Sequence, residues 1–111
     1  MKINGINREW QFVAVWRYEI APGMEAPFEQ AYGREGDWVR LFQKDEAYIG
    51  TELVRDLKAD RTYLTFDFWA SAEAYESFRR RYAAEYKVID QKCAALTLKE
   101  SEIGRFHRVA G

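Results

Sequence analysis

Trp69 and Tyr75 stand six residues apart in the stretch YLTFDFWASAEAYESF, Tyr63 to Phe78. An indole offers a broad apolar face, and a phenol adds a hydroxyl that can bond a ligand oxygen. Together they suit a flat aromatic ligand, held at its faces and by one hydrogen bond to an oxygen. Trp16 and Tyr18, two residues apart, can add a second aromatic surface and another hydroxyl, with Phe66 completing an apolar wall. Imidazole, whose ordinary pKa lies nearest neutrality, occurs once, at His107, the candidate base. A structural role competes with each of these. Replacing a core aromatic by Ala costs about 3–5 kcal/mol, which alone would account for Trp69 and Tyr75 as core or pocket wall.

Other chemistries are poorly served. A single histidine and a single cysteine, Cys93, leave no Cys-based zinc cluster and no intrachain disulfide. Cys93 reads as a small buried hydrophobe. No glycine-rich phosphate loop, dinucleotide fingerprint or nucleophile elbow occurs. Seventeen basic residues against eighteen acidic give a formal charge of −1, which does not fit a nucleic-acid surface. The run Arg79-Arg80-Arg81 reads as a solvated helix face, with Glu76 placed to pair with Arg80. The start, MKINGINREW, has no apolar signal core, and no apolar run is long enough to span a membrane. The expectation is a cytoplasmic protein using neither metal nor cofactor.

The elements that must position these residues are legible from periodicity. The 111 residues suffice for one domain, with a core from about residue 11 to 109. In QFVAVWRYEI, residues Phe12, Ala14, Trp16, Tyr18 and Ile20 share one face of a strand. Pro22-Gly23 ends it, and Met24, Phe28, Ala31 and Tyr32 follow at helical spacing. Asp37 is placed to cap a short helix carrying Trp38, Leu41 and Phe42. YIGTELVRD and RTYLTFDFW read as an antiparallel pair joined by LKAD. In the latter, the apolar set Leu64, Phe66 and Phe68 is expected to face the helices. The mixed set Tyr63, Thr65, Asp67 and Trp69 is expected to face a partner, with Asp67 and Arg17 able to meet across the sheet or interface.

Ser71 is the expected N-cap of a helix carrying Tyr75, Phe78, Tyr82, Tyr86 and Ile89, with a bend near Ala83 left open. Thr97-Leu-Lys-Glu100 has the form of a capping box, and Gly104 suits a helix end, which leaves Arg105 to Ala110 as the last strand. The order βαββαβ predicts a ferredoxin-like α+β domain with a four-stranded antiparallel sheet. A sheet face that is not fully polar predicts a homodimer.

The segments EIAPG, AYGREGDWVRLF, YIGTELVRD, YLTFDFWASAEAYESF and LTLKESEIGRF resemble the antibiotic-biosynthesis-monooxygenase-like family, from about Phe12 to Phe106. The resemblance implies a dimeric α+β barrel with a pocket between sheet and helices. It also implies membership of a group that includes cofactor-free oxygenases of polyketide-like hydroquinones and haem-degrading enzymes. In the oxygenases a Trp at the strand end and a Tyr six residues on help form the pocket, and Trp69 and Tyr75 match. The Asn four residues before that Trp is Thr65 here, which keeps a hydrogen-bonding hydroxyl but no amide. In the haem-degrading branch a His follows the Trp by about ten residues. Arg79 stands there instead, and the first strand lacks the branch's Asn, which argues against haem degradation. The resemblance thus implies a cofactor-independent monooxygenase acting on a small aromatic or polyketide-type substrate. A non-catalytic small-molecule-binding or sensing homodimer is the alternative, and a module whose pocket is simply filled is a third.

Overall fold

The computed structural model describes residues 9–109. The start of the chain and Ala110, the expected end of the last strand, lie outside the described residues. The elements run β1 (Phe12–Ile20), α1 (Glu25–Tyr32), α2 (Asp37–Phe42), β2 (Tyr48–Arg55), β3 (Thr62–Trp69), α3 (Ala72–Arg81), α4 (Ala83–Cys93), a 3-10 turn (Ala94–Leu96) and β4 (Thr97–His107). The four strands form one antiparallel sheet in the order β2-β3-β1-β4, the ferredoxin-like arrangement.

Local chemistry accounts for the joints. Gly23 takes the positive φ of 82° that the turn after β1 requires. The Asp56 carboxylate accepts the amides of Lys58 and Ala59 at 2.8 and 2.9 Å, closing the β2–β3 turn. Ser71 Oγ accepts the amide of Ala74 at 3.0 Å, the expected cap of α3. The α3–α4 helix breaks at Tyr82, where φ −109° and ψ 25° leave the helical region. Asp37 opens α2 as its first residue, behind Gly36, and binds Arg40 and Lys92 through its carboxylate.

Four expectations need correction, the first being the Asp37 cap of α2: Gly36 holds that position and no side chain bonds the helix end. β4 begins at Thr97, so the Thr97–Glu100 segment is strand and not a capped helix, and Gly104 lies within that strand. β4 is an edge strand with largely exposed residues, so it lacks the apolar alternation that marks a half-buried strand. The faces of β3 are also the reverse of those expected. β1 and β3 pair with Phe12 opposite Trp69, Ala14 opposite Asp67, Trp16 opposite Thr65 and Tyr18 opposite Tyr63. Directly opposed residues share a face, so the inward set of β1 brings Tyr63, Thr65, Asp67 and Trp69 inward with it. Phe66 and Phe68 pack with Val13, Val15, Trp10 and Ile49 on the outer face. Finally, Arg17 pairs with Glu19 at 2.8 Å, and Glu76 pairs with Arg105 rather than Arg80.

The main core lies between the inner sheet face and the helices. It joins Phe12, Tyr18, Ile20, Phe28, Tyr32, Trp38, Phe42, Tyr63, Trp69, Tyr75 and Phe78.

Candidate active site

Within this aromatic core the inner sheet face bounds a small cavity. Its walls are Trp16 and Tyr18 from β1, Thr51 from β2, Thr65 and Asp67 from β3, Glu100 from β4, and Tyr32, Trp38, Phe42 and Tyr86 from the helices. The water-accessible volume is about 20 Å³, room for roughly one water molecule and none for a ring. Only Trp16, Tyr86 and Glu100 of these residues are not fully buried, so they form the rim through which a ligand would pass. Two roomier grooves, of about 350 and 330 Å³, are open to the surface around α2 and α4 and near the end of α1. The cavity is the place where buried polar groups converge.

Asp67 is its most unusual member. The residue is 8% exposed and has no cationic partner among the described residues. Burial pushes its carboxyl up from the ordinary 3.8 to about 7, against a lowering contribution from the Thr51 hydroxyl. Thr51 Oγ1 donates to Asp67 Oδ1 at 2.8 Å, and the Tyr48 hydroxyl lies 2.7 Å from Thr51 Oγ1. A threonine hydroxyl carries one proton, so Thr51 gives it to Asp67 and accepts from Tyr48. Tyr18 and Thr65 share a hydrogen bond at 3.3 Å on the same inner face. Burial raises the Tyr18, Tyr32, Tyr48 and Tyr86 hydroxyls above the ordinary phenol range and keeps them neutral.

Trp16, Tyr18 and Thr65 thus meet around one cavity. Trp69 and Tyr75 stand beside it, outside its wall. Trp69 is 0% exposed and packed by the rings of Phe42, Tyr48, Tyr75 and Phe78 at 4.9–5.6 Å, and its indole N–H has no partner among the described residues. The Tyr75 hydroxyl accepts from Arg79 at 2.7 Å, and that guanidinium also lies 4.2 Å from the Tyr86 ring centroid. Phe66 sits on the opposite face of the sheet, away from the cavity. His107 is exposed at the end of β4, opposite Phe12. The sequence reading missed Asp67, Thr51 and Tyr48 as a group. The available signal was period two: with Trp69 turned inward, Asp67 and Thr65 must turn inward too.

Among the described residues no cluster of His, Cys, Asp and Glu could hold a metal ion, and no helix is long and apolar enough to cross a membrane.

Fold and interior site together define a ferredoxin-like α+β protein with an aromatic cavity beneath its helices. The antibiotic biosynthesis monooxygenase family profile matches residues 11–85, and the chain belongs to that family. No curated protein matches the sequence significantly. Solved structures similar to this chain include SnoaB from Streptomyces nogalater, a cofactor-independent oxygenase. It is 16% identical, with 93% of this chain and 97% of that one covered and a TM-score of 0.67. A Nitrosomonas europaea protein of unknown function is 13% identical, with 95% of each chain covered and a TM-score of 0.69. A Pseudomonas aeruginosa protein is also 13% identical, with 94% and 99% covered and a TM-score of 0.64. At these identities the likeness is one of fold.

Proposed function

We propose that the protein is a cofactor-independent monooxygenase of a small aromatic or polyketide-type substrate, working in the cytoplasm as a homodimer. The observation that supports this reading is the cavity itself, walled by rings from both layers and holding one buried carboxyl. Apolar walls with a few fixed polar groups are the usual construction of a small-molecule site. The substrate, ionised at a phenolic or enolic oxygen, supplies the electrons to dioxygen. An activated CH2 becomes C=O, one oxygen atom enters the carbonyl, and the other leaves as water. No external reductant enters this balance. Trp16 and Tyr18 orient the ring, while Trp69 and Tyr75 stiffen the wall behind it. His107 is exposed at the end of β4 and does not line the cavity.

The dimer is part of the proposal. Val13, Val15, Phe66 and Phe68 make the outer sheet face apolar, and Phe106 of β4 is 48% exposed. A self-complementary apolar face suits a two-fold interface. Oxygen uptake by chelator-treated protein, supplied with an anthrone, tests the activity. Uptake above the buffer rate, with product oxygen derived from dioxygen, is expected. Binding without uptake would instead identify the non-catalytic sensing dimer.

A further inference from the structure

We propose that Asp67 is the proton acceptor of this site, taking the proton of a phenolic or enolic hydroxyl on its Oδ2. Thr51 and Tyr48 act as positioning residues that hold the carboxyl by its other oxygen. The inference rests on the proposed reading of the cavity as a ligand site and assigns the base that reading requires.

The geometry divides the two carboxyl oxygens. Oδ1 is fixed by the Thr51 hydroxyl at 2.8 Å, itself held by Tyr48 at 2.7 Å. The hydrogen bond of the Asp67 side chain among the described residues is the one to Oδ1, which leaves Oδ2 open, and Asp67 lines the cavity. A carboxyl buried without a cation is costly, and its presence contributes nothing to folding that a threonine or leucine would not. The Arg79 guanidinium is engaged by the Tyr75 hydroxyl and that of Arg105 lies over the Tyr75 ring.

Every element around Asp67 presents a neutral or distant group. Tyr18 faces it from β1, Tyr48 from β2, Tyr32 from α1, Tyr75 from α3 and Tyr86 from α4. α2 contributes Trp38 and Phe42, which do not titrate. Glu100 of β4, exposed at the rim, is the second carboxyl, and burial together with Asp90 raises its pKa. The buried position of Asp67 makes its carboxyl a proton acceptor matched to neutral pH. In the transfer, the substrate O–H bond breaks with its electron pair left on the substrate oxygen. A new O–H bond forms on Oδ2, and the negative charge passes from Asp67 to the substrate. The total charge of the site is unchanged.

The test is calorimetric titration of 2-naphthol, which stays neutral from pH 5 to pH 8, into full-length protein. Wild-type affinity is expected to rise at least tenfold from pH 5 to pH 8 and to level above about 7, as the carboxyl ionises to accept the hydroxyl. Below that level, binding should release a proton to the buffer. Asp67→Asn keeps an acceptor for Thr51 and should bind with a flat profile, whereas Glu73→Gln, on the exposed first turn of α3 and outside the cavity wall, should keep the wild-type profile. Thr51→Val should move the rise to higher pH, since the Thr51 hydrogen bond favours the carboxylate. Binding by wild type with no pH dependence, or an unchanged profile in Asp67→Asn, overturns the base and leaves the cavity standing. No binding to any of these proteins overturns the cavity reading and the base with it.

Discussion

Removing the charge of Asp67 should make the protein more stable above neutral pH, an unusual outcome for a buried site. The carboxyl lies at about 7 in the folded chain against an ordinary 3.8. The folded state therefore binds more protons than the unfolded state between those values, and stability falls as pH rises through that window. Nothing is lost below 3.8, and the loss is complete above about 7. At 1.36 kcal/mol per pH unit, the cost reaches about 1.5 kcal/mol at pH 5 and about 4 kcal/mol at pH 8. Asp67→Asn keeps the volume and an oxygen for Thr51 but carries no such cost. Its advantage over wild type should therefore grow by about 2–3 kcal/mol between pH 5 and pH 8. That corresponds to a widening gap in Tm of roughly 10 °C in a domain this small. Paired thermal melts at several pH values and fixed protein concentration measure it, and carboxylates common to both proteins cancel. A gap that stays constant from pH 5 to pH 8 would refute the buried, unpaired carboxyl.

Three further outcomes are expected. Trp69→Ala should cost about 3–5 kcal/mol in denaturant unfolding, since the indole is packed by four rings, whereas a cost under about 1 kcal/mol would mean a loose core. Phe66→Asp should convert the proposed dimer to a folded monomer in sedimentation velocity with unchanged near-ultraviolet circular dichroism; an undisturbed dimer would show that the outer sheet face is not the interface. Ser71→Ala should cost about 1 kcal/mol through loss of the α3 cap, and no change would show that the Ala74 amide finds another partner.

Much of the architecture was legible because its signals are local. Alternation marked β1 to β3, Pro22-Gly23 and Ser71 marked element ends, and βαββαβ order fixed the class. β4 escaped because Thr97-Leu-Lys-Glu100 satisfies a helix-capping pattern, while an exposed edge strand carries no core stripe to contradict it. The faces of β3 escaped for the opposite reason. Both are covered by apolar groups, so counting hydrophobic residues favoured Leu64, Phe66 and Phe68 for the inside. Only pairing register decides, and Trp16 opposite Thr65 settles it. The same reversal hid the site. Trp16, Tyr18 and Thr65 were found by type, but Asp67 looked like an interface charge until its strand was turned. His107 drew attention by chemistry alone, and its exposed place at a strand end could not be read from spacing.

The most direct measurement is a crystal structure of the protein with 2-naphthol bound. The ring system is expected beneath the helices, reached by outward movement of Trp16 and Tyr86, with its hydroxyl in hydrogen-bonding distance of Asp67 Oδ2. A ligand seated on the outer sheet face or in a groove at α2 and α4, with the interior unchanged, would contradict it.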